Sequence, residues 1–85
     1  MTVMMGIPLE LDADLNAEDD EGLNWSVLSA ASHPEVVKAG AVITAGRDRY
    51  WSWVRVVRVD SDGQVHFQQI SAPEAREARK LANAS

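Results

Sequence analysis

The chain of 85 residues contains no cysteine, which excludes disulfides, thiolate metal sites and a cysteine nucleophile. It also lacks any apolar run near the roughly 18–20 residues that a membrane-spanning helix needs. Its first residues carry no basic segment and soon turn acidic, so we expect no signal peptide. Glycine occurs only singly, without the clustered glycines of a phosphate-binding loop. These absences predict a soluble, cytoplasmic protein without a bound cofactor.

Basic residues are missing from the first part of the chain. Residues 1–37 contain eight acidic residues and neither lysine nor arginine, whereas residues 38–85 contain all eight basic residues and five acidic ones. The net charge is −5 and the pI is about 4.8. This balance is unfavourable for general binding of nucleic acid, because phosphate contacts need clustered positive charge. The two parts could neutralise each other within one fold, or across a contact between two chains.

The length predicts one small globular domain over residues 1–85. Residues 12–22 are acidic and polar, with one glycine and no proline, which favours a solvated, mobile loop over a linker between domains. The alternation of Asp12, Asp14 and Asn16 is that of the first ligands in a calcium loop. The glycine and the closing glutamate of such a loop are missing at the required offsets, so we do not predict a calcium site.

Alternation of apolar residues and the turn signals predict an α+β or mainly β fold. We expect a small bent antiparallel sheet, similar in architecture to an SH3-like barrel, an analogy that carries no function. A short helix is expected near residues 24–31, and a C-terminal helix over 73–83, capped by Ser71 and prone to fraying because its apolar residues are mostly alanine. The strands are expected near residues 5–11, 41–45, 50–59 and 64–70.

The hairpin from Arg49 to Phe67 is the most distinctive segment, since it contains four of the five aromatic residues and three of the six arginines. A surface of this kind binds proteins through cation–π and bidentate contacts, or single-stranded nucleic acid through base stacking. The alternative is that Trp53 lies in the core and the arginines pair with the acidic part of the chain. The sequence leaves these interpretations open.

The turn of this hairpin decides which side chains are buried. A two-residue Asp62-Gly63 loop would place Val65 and Phe67 beside Val54 and Val56. A type I turn from Asp60 to a left-handed Gly63 would shift the register by one residue and exchange the two faces. Aspartate at the first position and glycine at the fourth favour this bulged turn. It predicts a core face with Trp51 at its end and the following side chains: Trp53, Val57, Val59, Val65 and Phe67.

The opposite face of the hairpin is then the candidate protein-binding face. Its members are Tyr50, Val54, Val56, Arg58, His66 and Ile70. Three of these side chains are aliphatic, so we expect cover from another element, a second copy or another protein. The predicted function is therefore a non-enzymatic protein-binding or accessory module that forms a homodimer through this face.

Two other functions are weaker interpretations of the same residues. One is a nucleic-acid-associated small barrel that uses the arginines and aromatic residues of the hairpin. The other is a hydrolase-like or metal-dependent enzyme that uses His66 or His33, the only imidazoles in the chain. Neither histidine stands at a spacing typical of a catalytic or zinc-binding set. We accordingly predict no catalytic, cofactor-binding or metal site.

Overall fold

The computed structural model describes residues 9–84, and the side chains of residues 9–81. The strands are β1 (Leu11–Asp12), β2 (Asn24–Val27), β3 (Val42–Arg47), β4 (Tyr50–Val59) and β5 (Gln64–Ile70), followed by the helix α1 (Ala72–Ala84). Two short 3-10 turns span Leu28–Ala30 and Pro34–Val36. The five strands form one curled half-barrel sheet in the order β1-β3-β4-β5-β2, and this confirms the predicted α+β, mainly β fold.

The central hairpin has the bounds expected from the sequence. Strands β4 and β5 span residues 50–59 and 64–70, as predicted. The amide of Gly63 donates to the carbonyl oxygen of Asp60 at 2.9 Å, and Gly63 has a φ of 89°. This is the bulged turn predicted from the aspartate and the glycine, and it places Val59 opposite Val65.

A second bulge in β4 makes part of the predicted faces wrong, although Val59, Val65 and Phe67 lie on the core side as predicted. Val57 is skipped in the pairing, because Val56 stands opposite Phe67 while Arg58 stands opposite His66. One extra residue in a strand reverses the faces of all the residues beyond it. Val54 and Val56 therefore enter the core, whereas Val57 is 41% exposed. Trp51 and Trp53 move to the opposite side of the sheet and are partly buried there.

The helix predicted near residues 24–31 is wrong, since residues 24–27 form the edge strand β2. Here the buried side chains are the polar ones, Asn24 and Ser26, which donate hydrogen bonds to backbone oxygens of the preceding segment. Trp25 and Val27 point outward and are more than a third exposed. The polar side chains can be buried because their hydrogen bonds to backbone oxygens satisfy them. A strand with buried polar residues and exposed apolar ones cannot be recognised from an apolar face in the sequence.

The remaining elements match the sequence more closely. The strand predicted at 41–45 corresponds to β3. Strand β1 corresponds only to the end of the strand predicted near 5–11, and it pairs parallel to β3. Residues 5–8 of that prediction lie outside the described part of the chain. Helix α1 begins one residue before the predicted start, and the amide of Glu74 donates to the Ser71 hydroxyl at 3.2 Å. No helix within residues 9–84 is long and apolar enough to cross a membrane.

The core lies on the concave side of the half-barrel. Large aliphatic side chains of β3, β4 and β5 meet there around Phe67, which is fully buried. Its members are Leu11, Ala13, Val37, Ile43, Ala45, Val54, Val56, Val65 and Phe67. The other side of the sheet carries α1 beside β3 and β4, with Ala75 fully buried. We call this second side the outer face.

Candidate functional site

The six residues of the predicted binding face are not brought together on one surface. Val54 and Val56 fill the core, and His66 is only 3% exposed. Tyr50 is 75% exposed, while Arg58 and Ile70 are partly exposed. The bulge at Val57 separates the set, because it sends the two valines inward and leaves His66 on the outer face. A role of the exposed members in protein binding stays a prediction.

One end of the outer face, beside the turn of the hairpin, is occupied by a buried histidine between two carboxylates. His66 Nδ1 lies 2.6 Å from Asp19 Oδ2, and His66 Nε2 lies 2.8 Å from Asp60 Oδ2. Arg58 extends the network, since its Nε is 3.0 Å from Asp60 and its terminal nitrogen is 2.5 Å from Glu21. We call these five residues the histidine end.

The geometry of the histidine end favours the protonated form of His66. An ionised carboxylate only accepts hydrogen bonds, so two such carboxylates are both satisfied when both ring nitrogens donate, as they do in an imidazolium. Burial disfavours this charge, and Arg58 repels it, but the bonds to Asp19 and Asp60 outweigh both and raise the pKa of His66. The bond from His66 and then that from Arg58 lower the pKa of Asp60.

Asp19 connects this network to the acidic segment. Burial opposes the charge of Asp19, yet hydrogen bonds from the amide of Leu23, from His66 and from the amide of Glu21 lower its pKa below the usual range. Both amides donate to Asp19 Oδ1, at 3.0 and 2.8 Å. Asn24 also donates to the carbonyl oxygens of Leu15 and Ala17. The acidic segment is thus attached to the sheet at defined points, while Glu18, Asp20 and Glu21 remain exposed.

The other end of the outer face combines tryptophan with cations from α1. The Trp51 and Trp53 rings meet edge to face, with centroids 6.1 Å apart. The Arg79 guanidinium lies over the Trp53 ring, 5.3 Å from its centroid, and is held there by a 3.0 Å hydrogen bond to the carbonyl oxygen of Val42. We call this region the basic-aromatic end.

An open cleft of about 630 Å³ lies at the basic-aromatic end. Its lining consists of Trp53, Ala72, Arg76, Arg79 and Lys80. The helical residues have the i, i+3 and i+4 spacing that places side chains on one face. We call it the Trp53 cleft, and no acidic side chain within residues 9–81 lines it.

A second cleft, of about 490 Å³, lies near the β3–β4 turn and includes Trp51 but not Trp53 in its lining. Trp51, Tyr50, Arg47 and Arg49 border it on the hairpin side. Gly46 makes this arrangement possible: its φ is 148°, and an added Cβ would lie 2.2 Å from the carbonyl oxygen of Tyr50. Only glycine permits this close approach of the two strands beside Trp51.

The two histidines predicted as weak catalytic candidates lie in different settings. His33 is exposed and precedes the 3-10 turn at Pro34–Val36. Both nitrogens of His66 are already engaged by carboxylates, so in this arrangement neither is available to a substrate. Among residues 9–84, no group of three or more carboxylate and imidazole side chains is placed to hold a metal ion.

Sequence reasoning indicated the aromatic half of the basic-aromatic end but missed the rest. The alternation of tryptophan and arginine marked β4, whereas the cations of the cleft come from α1, which was expected to bury little. Comparison of the chain with protein-family models, with curated proteins and with solved structures gave no match. Function has to be inferred from the geometry of the site itself.

Proposed function

We propose that this protein is a non-enzymatic, cytoplasmic protein-binding module whose contact surface is the basic-aromatic end. The observation that carries the proposal is the position of Trp53. Its indole is partly exposed at the base of an open cleft, fixed by Trp51 and Arg79, although a chain this small needs its large rings for the core. Tryptophan and arginine are the residues most enriched at the centres of protein interfaces.

Photo-crosslinking in cells of the source organism tests this function. A photoreactive phenylalanine analogue replaces Lys80 in the Trp53 cleft, and in a matched variant it replaces Lys38, which is exposed and does not line the cleft. We expect a discrete protein adduct from position 80 and none of the same mass from position 38. Adducts to nucleic acid alone, or the same adducts from both positions, would contradict the proposal.

We further propose weak self-association through the tip of the β3–β4 hairpin, where Tyr50 is 75% exposed beside Trp51. The aliphatic face from which the sequence predicted a homodimer is not available, since Val54 and Val56 lie in the core. Sedimentation equilibrium of the wild-type protein and of Tyr50→Ser checks it. A species heavier than 9.3 kDa should be present for the wild type at high concentration and reduced in the variant. A wild-type protein that stays monomeric at all concentrations would contradict the proposed self-association.

A further inference from the structure

We propose that the Trp53 cleft takes a short acidic segment of a partner protein, in which carboxylates flank an apolar side chain. This rests on the proposed protein-binding function and deepens it by naming the chemistry of the partner. The Trp53 indole and the methyl group of Ala72 offer an apolar surface for the uncharged side chain, and Arg76, Arg79 and Lys80 surround it.

The ion pairs of the molecule show which cations remain available. Four arginines pair with acidic residues within the fold: Arg47 with Asp12, Arg55 with Glu74, Arg58 with Glu21 and Asp60, and Arg79, more loosely at 4.0 Å, with Glu10. The other four basic residues, Lys38, Arg49, Arg76 and Lys80, form no ion pair within the described part of the chain. Of these, Arg76 and Lys80 are exposed and line the Trp53 cleft.

Charge complementarity therefore selects an anionic occupant. Arginine matches a carboxylate with two parallel hydrogen bonds, and lysine adds a mobile point charge. Arg79 contributes less to direct recognition, because Trp53 and the Val42 carbonyl oxygen already fix it. Its role in this proposal is to keep the indole in place and the cleft positive.

The same observations favour a protein over a nucleic acid. A strand of nucleic acid needs a longer track of cations, whereas this cleft has three, in a molecule whose net charge is −5. The cleft has an apolar floor and three cations around it, which is the size and chemistry needed to bind a few side chains of a peptide.

Titration of the full chain with three defined probes tests the inference. The probes are a short peptide with glutamates flanking two leucines, its glutamine counterpart, and an oligo-dT strand. The readout is the fluorescence of Trp53 in a Trp25→Phe/Trp51→Phe background, with the indole N–H signals of the unaltered protein in NMR as the second measurement. We expect the glutamate peptide to bind about tenfold more tightly than the glutamine peptide, with an affinity that falls as salt is added.

The two lysines of the chain supply a matched pair of variants with the same change of charge. Lys80→Glu should weaken binding of the glutamate peptide about tenfold, and Lys38→Glu by less than about threefold. Equal affinities for the two peptides, or equal effects of the two variants, would overturn the acidic partner while leaving the crosslinking test of the proposed function intact. Tighter binding of oligo-dT that Lys80→Glu abolishes, or no binding of any probe, would also overturn it.

Discussion

Both ends of the outer face carry arginine, but they use their charges differently. At the histidine end, every charged group has a partner within the fold, and the central imidazole is buried. At the basic-aromatic end, Arg76 and Lys80 project into an open cleft beside a partly exposed tryptophan. Charges that are satisfied internally position the chain, whereas unpaired charges beside an aromatic ring remain available to a ligand.

The difference follows from which part of the chain reaches each end. The acidic segment crosses the histidine end, where Asp19 accepts hydrogen bonds from His66 and from two backbone amides. At the other end the covering element is α1, whose cleft-lining side chains are alanine, arginine and lysine. The charge asymmetry seen in the sequence is thus partly neutralised within one molecule, while Arg76 and Lys80, which form no ion pair among the described residues, line the Trp53 cleft.

The largest expected effect comes from Gly46→Ala, which disturbs the backbone beneath the basic-aromatic end. The new Cβ would lie 2.2 Å from the Tyr50 carbonyl oxygen and 2.5 Å from Trp51 Cα. Since both atoms belong to the backbone, the strands must separate, and we expect the free energy of unfolding to fall by about 4 kcal/mol.

Gly40→Ala is the control for this substitution. Gly40 also has a positive φ, 91°, but nothing lies within 4 Å of the added Cβ. Its cost should be only the conformational one, about 1–2 kcal/mol. Urea denaturation of both variants measures the difference, and similar losses of stability would show that the close approach at Gly46 is not needed.

The second-largest expected loss of stability is that of His66→Leu, which removes the central side chain of the histidine end. Asp19 and Asp60 would lose their shared partner while remaining near each other, so we expect the free energy of unfolding to fall by about 3 kcal/mol. His33→Leu changes the exposed histidine and should alter it by less than about 0.5 kcal/mol. Equal effects of the two substitutions in urea denaturation would contradict the structural role assigned to His66.

The pH dependence of stability is a second test of the histidine end. The folded state raises the pKa of His66, so the stability that this group contributes is complete below the ordinary histidine pKa of about 6.5 and is lost as the pH rises through the folded value. The folded state lowers the pKa values of Asp19 and Asp60, so their contribution is complete above about 3.9 and is lost as the pH falls.

The wild type should therefore be most stable between about pH 4 and 6.5 as far as this network is concerned. Thermal unfolding from acidic to mildly alkaline pH should show a decline above that range in the wild type and a flatter curve in His66→Leu. A wild-type curve that rises from pH 6 to 9 would argue against an imidazolium between the two carboxylates.

The smallest expected effect on stability is that of Lys80→Glu. Because Lys80 has no ion-pair partner among the described residues, the free energy of unfolding should change by less than about 0.5 kcal/mol, as for Lys38→Glu. Thermal unfolding of both variants checks this. A marked loss of stability in Lys80→Glu would mean that its charge serves the fold rather than a ligand.

The sequence predicted the features that depend on neighbouring residues, but not those that depend on pairing between distant parts of the chain. The bounds of β4 and β5 and the bulged turn at Gly63 follow from strand periodicity and from the conformational freedom of glycine. The bulge at Val57 has no signature in a uniform run of valines and arginines, yet it exchanges the two faces. The histidine end was equally hidden, since Asp19 lies 47 positions before His66 and any of several carboxylates could have been its partner.

The most direct test of the contrast between the two ends is an NMR titration of the full chain with the glutamate peptide. Chemical-shift changes should be confined to the Trp53 indole, to neighbouring β4 amides and to α1, while Asp19, Asp60 and the His66 ring keep their shifts. Changes centred on the histidine end, or spread evenly over both ends, would contradict the assignment of one end to the fold and of the other to a partner.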